Sequence, residues 1–191
     1  MKGSLAFQAR QFGVYYLLFT LIGVIGGSIA WQYRLKVKEE EKIDLLIVTE
    51  EDNAWQQEFS KHLNDNKPEG IIEINTRHIL PSSRDLATLF STFGSVEADV
   101  FFAPKETWES SWIDWSIFLP LDPNKVEKTF GENLTYWEHD NRKMGFSFPS
   151  SLLPKDEEWF CVVAASSCHL GDWEANAYDD AALRLLKGIC A

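Results

Sequence analysis

The sequence carries none of the short signatures of common enzyme chemistry. It has no GxSxG turn to expose a nucleophilic serine, no HExxH to hold zinc, no P-loop to cradle phosphate and no GxGxxG fingerprint for a dinucleotide. Cysteine is scarce. Cys161, Cys168 and Cys190 form an odd set without a CxxC, so no zinc framework is suggested. Cys161 and Cys168 suit a disulfide if the chain is exported, and suit two buried thiols equally well. His62, His78, His139 and His169 are too scattered to read as a metal site. The polar run Glu138, His139, Asp140, Asn141 offers donors to a cation, though a solvated loop is the commoner outcome of such a run. No internal repeat or low-complexity tract is present. The chain therefore reads as non-enzymatic, with no catalytic residue, metal or cofactor expected.

Charge is missing from one long stretch. Phe12 to Trp31, FGVYYLLFTLIGVIGGSIAW, has no Asp, Glu, Lys, Arg or His. A helix of about 20 residues spans a hydrocarbon core of ~30 Å. Tyr15 and Tyr16 stand near one end, and Trp31 and Tyr33 near the other, where amphipathic rings prefer the interfaces. The expectation is a single-pass membrane anchor, with Phe12, Tyr15, Tyr16 and Trp31 as its anchoring residues. Ser28 and Ala30 have the spacing of a signal-peptidase site, but the run is long for a cleaved signal. No cysteine lies near its end, which excludes a lipoprotein anchor. Gly23 and Gly27 form a small-xxx-small pair able to pack two helices.

Sidedness is less plainly written. Lys2 and Arg10 precede the run, whereas Arg34, Lys36, Lys38 and Lys42 follow it. Basic residues alone would keep the C-terminal part in the cytoplasm. Glu39, Glu40 and Glu41 dilute them, and long domains cross largely regardless of charge, so the expectation is a domain outside the cytoplasm.

Basic residues are also few beyond the run. All 29 acidic residues lie there with 16 of the 18 basic ones, a balance of −13. Such a surface repels nucleic acid and anionic lipid headgroups and excludes both as partners.

What is present reads as an α/β domain. Residues 1–11 are an N-terminal flank, 12–31 the anchor, 32–42 a charged stalk and 43–191 the extracytoplasmic domain. Ile43–Thr49 reads as a strand, and Glu50 to Asn53 as a helix start, since side-chain oxygens and negative charge suit free N–H groups. Trp55, Phe59, His62 and Leu63 recur at helical spacing until Pro68 and Gly70. Ile71–Ile74 is a second strand. A helix striped by Leu86, Leu89, Phe90 and Phe93 follows and ends at Gly94. Val100–Ala103 is the third strand, central and buried on both faces beside Ile43–Thr49, with Pro104 ending its pairing. Strands separated by helices imply a mostly parallel sheet with right-handed crossovers. Later, Trp108–Trp115 reads as a helical turn and Ile117–Pro123 as a brief extended piece. Lys125–Glu138 reads as helix and then loop. Met144–Ser151 and Trp159–Ala165 read as strands, and Ala181–Cys190 as a closing helix capped by Asp179 and Asp180.

Taken in order, these segments resemble the first lobe of the extracellular solute-binding proteins of bacterial importers, the sugar-type receptors. The resemblance rests on IDLLIVTEEDNAWQQEFSKHL, on DVFFAPKETW, on the Leu119-Pro120-Leu121-Asp122 element, and on Gly145, Phe146 and Pro149 in MGFSFPSS. It covers Ile43 to Ser151. It implies a single reduced lobe, since only about forty residues follow where such receptors carry a second lobe.

In a parallel sheet, ligands gather beyond the carboxyl ends of the strands. That edge is expected to present Glu50, Glu51 and Asp52, then Arg77 and His78, then Lys105 and Trp108, with Ser147, Ser150 and Ser151 joining. The ligand-binding candidates are Glu50, Asp52, Trp55, Lys105, Trp108 and Ser150. Indole faces suit sugar rings or cations, and carboxylates suit hydroxyl or ammonium groups. The ordinary alternative has the acids capping a helix and the tryptophans filling a small core. Two functions follow: a membrane-tethered module binding a small solute such as a sugar or cation, or an envelope assembly protein. The latter would dock another membrane protein on a tryptophan-rich surface that includes Trp112, Trp115, Trp137, Trp159 or Trp173.

Overall fold

A computed structural model describes residues 12, 13, 15, 18–26, 28, 37–94, 97–154, 157–175 and 177–190. Two compact units divide at Val37 and Lys38. In the first, the described residues between 12 and 28 are helical, and Phe12, Tyr15, Leu18, Phe19, Leu21, Ile22, Val24 and Ile25 are all exposed. Among the described residues no helix is long and apolar enough to cross a membrane. Seven positions of the expected anchor, including Tyr16, Gly27 and Trp31, lie outside the described residues, as do the flank 1–11 and the stalk residues 32–36.

The second unit is a six-stranded mixed sheet with flanking helices. A 3-10 turn, Glu39–Glu41, leads into β1 (Lys42–Val48). Then come α1 (Asn53–Asp65), β2 (Glu73–Ile79), α2 (Leu86–Gly94), β3 (Val100–Pro104) and the single turn α3 (Lys105–Trp108). A 3-10 turn at Trp115–Ile117 precedes α4 (Pro123–Phe130), β4 (Tyr136–His139), β5 (Arg142–Ser147) and β6 (Trp159–Val163). The chain closes through a 3-10 turn at Gly171–Trp173 and α5 (Ala181–Ile189). The sheet order is β2-β1-β3-β6-β5-β4.

The first half behaves as the sequence pattern requires. β1 pairs in parallel with β2 on one side and β3 on the other. Both central strands are buried on both faces, and their side chains alternate between two core layers. Ile43, Leu45, Ile47, Val100 and Phe102 face one layer, beneath Phe59 and Leu63 of α1 and the buried residues of α5. Leu46, Val48, Phe101 and Ala103 face the other, beneath Leu86 and Phe90 of α2. Asp52 caps α1 by accepting the Trp55 N–H, and Asp179 Oδ1 accepts the Ala181 N–H at the start of α5.

Four sequence expectations are corrected here. The sheet is not mostly parallel, because β6 runs antiparallel to β3, and β5 and β4 continue antiparallel. The second strand spans Glu73–Ile79 rather than Ile71–Ile74. It buries only Ile74 and Ile79, one in each core layer, and the polar residues between them hide it from a search for apolar runs. Tyr136–His139 is a strand, not the loop that ends a helix. It joins β5 through Asp140-Asn141, whose φ values of 51° and 60° are those of a two-residue hairpin of the I′ type. Pro104 does not end the pairing: it still stands opposite Trp159 in the β3–β6 ladder. The β4–β5 pair has a simple origin, since a two-residue turn returns the chain beside itself where a helix would cross over.

Candidate functional site

The carboxyl ends of β1, β2 and β3 form the edge expected to hold ligand. The chain leaves β1 toward β2 on one side and later returns to β3 on the other, so the strand order reverses at this point. A pocket of about 350 Å³ sits there, lined by Thr49 and Glu50 after β1, Pro81 after β2, and Pro104, Glu106 and Thr107 at the end of β3. Glu157 and the half-exposed Trp112 join the lining. Of the six candidates, only Glu50 lines this pocket.

The others have structural partners. Trp108 does not face the edge. It is 1% exposed, packs among Phe90, Trp115 and Phe118, and donates its indole N–H to the Ala103 carbonyl at 3.1 Å. The short α3 turn carries it back over the sheet instead of outward. Asp52 is committed to its cap. Trp55 stacks on Phe59 and donates to the Leu152 carbonyl at 3.0 Å. Lys105 lies 3.6 Å from Glu158, both half exposed. Ser150 donates to the Ile189 carbonyl at 2.7 Å and so ties the segment after β5 to the end of α5. Arg77 and His78 lie inside β2, not beyond it. Arg77 pairs with Glu97 at 3.2 Å. The His78 ring meets Trp55 edge-on at 6.0 Å, and burial pushes its pKa below the ordinary 6.5.

A larger cleft, about 700 Å³, opens on the side of the sheet that carries the second core layer. The segment Glu109–Ser116 forms one wall and the β4–β5 hairpin the other. The pairing of β4 with β5 sets Trp137 opposite Gly145 and brings His139 and Arg142 to the hairpin end. Trp115 lies nearly parallel to Trp137, with centroids 6.4 Å apart and planes at 13°, and stacks on His139 at 4.8 Å and 19°. The indole N–H of Trp137 is buried and meets no hydrogen-bond acceptor among the described residues. Asp114 accepts from the Ser116 N–H at 3.0 Å and its hydroxyl at 2.6 Å. These two donors hold its carboxyl below the usual range and therefore ionised. Glu109 and Asp140 add negative charge to the lining and Arg142 adds positive charge.

Sequence reasoning noted Trp115, Trp137 and the polar run at His139 and Asp140 separately and did not join them. Asp-Asn between two half-apolar segments was the available signal, because that dipeptide favours the positive φ of a tight hairpin. Among the described residues no group of three His, Cys, Asp or Glu side chains could hold a metal ion. The cysteines are free thiols. Cys161 is buried in β6, and burial followed by the neighbouring Cys190 pushes its pKa up, so it stays protonated. No family model, curated protein or solved structure matches the chain.

Proposed function

We propose that this chain is a membrane-tethered, extracytoplasmic binding module, a reduced relative of the solute-binding receptors, which holds a small solute without catalysing a reaction. The observation that carries this reading is the cleft between Glu109–Ser116 and the β4–β5 hairpin. It joins two indole faces to a fixed, ionised Asp114 in a volume of about 700 Å³, within the ordinary range for small-molecule sites. A cation is attracted to indole faces and to carboxylates together, and a hydroxyl-rich ring can stack on the first and donate to the second. The small pocket at Glu50, where the strand order reverses, is a second place for ligand contact on the same domain. The tether is supported by the uncharged stretch of 20 residues and by the exposure of its described apolar side chains.

The test is a thermal-shift screen of the full chain in non-ionic detergent against sugars, amines and short peptides. A ligand at a hundred times its dissociation constant stabilises the fold by ~2.7 kcal/mol. Trp115→Ala and Asp114→Asn should each reduce that shift if the cleft is the site. A chain that no compound stabilises, but that co-purifies with one other membrane protein, supports envelope assembly instead.

A further inference from the structure

His169 is fully buried, yet both of its ring nitrogens face groups that only accept hydrogen bonds. Nδ1 lies 2.8 Å from Asp179 Oδ1, and Nε2 lies 3.0 Å from the backbone carbonyl oxygen of Glu39. A neutral imidazole has one N–H and one lone pair, so one of these contacts would set a lone pair against an oxygen. Only the imidazolium donates to both. We propose that His169 is a buried cation that latches the first turn of the domain, Glu39–Glu41, to the loop before α5, and that loss of its proton releases this turn.

The groups around the ring favour this charge. Asp179 comes from the loop before α5. Asp99, from the loop before β3, is buried and accepts from the Ser167 hydroxyl at 2.5 Å and the Asp44 N–H at 2.9 Å. Burial raises the Asp99 pKa, and those two donors and the His169 charge oppose that rise. At the start of β1, Lys42 sits 2.9 Å from both Glu39 and Asp44. Burial works against the Lys42 charge, but the two carboxylates outweigh it and hold its pKa up. Cys168, the neighbour in sequence, has its thiol pushed up by burial and then by the Asp99, Asp179 and Glu39 charges, so it remains neutral. For His169, burial opposes the proton, while the Asp179 bond, the Asp99 charge and the Glu39 carbonyl favour it, and the net shift is upward from 6.5. A histidine raised in the folded state adds stability that is complete below its unfolded pKa and is lost as pH rises through the folded one. The latch is therefore closed below the ordinary histidine pKa of 6.5 and opens as pH rises through the raised folded value.

Nuclear magnetic resonance of the full chain tests this, because long-range ¹H–¹⁵N spectra distinguish imidazolium from either neutral tautomer. His169 should be doubly protonated at pH 6 and titrate above 6.5. The backbone amides of Glu39 to Lys42 should shift with the same midpoint. In His169→Gln that shared transition should vanish. Asp179→Asn, which keeps the imidazole and removes its carboxylate, should move the midpoint down and serves if the glutamine variant does not fold. A neutral tautomer at pH 6 would overturn the proposal, as would a raised midpoint that the Glu39–Lys42 amides do not follow.

Discussion

The indole of Trp108 fills the space between Phe90, Trp115 and Phe118, and its N–H closes onto the Ala103 carbonyl. Removing a buried aromatic ring forfeits its transfer free energy and leaves a cavity, so Trp108→Ala should cost roughly 3–5 kcal/mol. Phe101→Ala, at 0% exposure on the neighbouring strand, should cost a similar amount. Urea unfolding of both variants checks this. If Trp108→Ala unfolds at the wild-type midpoint, the ring is not the core element described here. The residue scale is where sequence reading is weakest. "KETW" after a strand gives no sign whether the tryptophan points outward or turns back. That choice depends on the single turn of α3 and on Phe90 and Phe118, which are distant in sequence.

At Gly145, β5 lies close against β6. A Cβ at Gly145 would lie 2.7 Å from Val162 Cγ2 and 3.0 Å from the Cys161 carbonyl oxygen. Gly145 is paired with Val162 on one side and Trp137 on the other, so no single neighbour can move freely. Gly145→Ala should therefore destabilise the domain by about 1–3 kcal/mol through overpacking. It should also disturb the wall of the cleft that carries Trp137. Equal stability of variant and wild type in calorimetry would contradict this. In the sequence, MGFSFP announces a strand through alternation, but nothing there gives the packing reason for the glycine. Its reason, the close approach of β6, depends on which strand becomes the neighbour.

At the scale of the whole molecule, the proposed tether and its proposed sidedness are tested on the full chain. Proteolysis of intact, wall-stripped cells expressing it should degrade residues 43–191 and spare the uncharged segment. Full protection in intact cells, with digestion after lysis, would place the domain in the cytoplasm and agree with the basic count of Arg34, Lys36, Lys38 and Lys42. The binding reading requires only that solute reach the cleft, so it can stand with either sidedness.

By itself, the sequence determined the α/β class, the first and third strands with the two helices that follow the first two strands, the burial of Val100–Ala103 on both faces, and the closing helix; the second strand it misplaced. These follow from local periodicity and from apolar runs long enough to require two covered faces. Only the tertiary structure decided the rest. It turned the sheet antiparallel after β3, because β6 pairs there in the reverse direction, and strand direction is not encoded in hydrophobic pattern. It moved most of the candidate edge residues into caps and core, since whether a polar or aromatic group is free depends on partners as far off as Leu152 and Ile189. It also built the cleft, whose Trp115 and Trp137 are 22 positions apart and meet through strand pairing and packing across the chain.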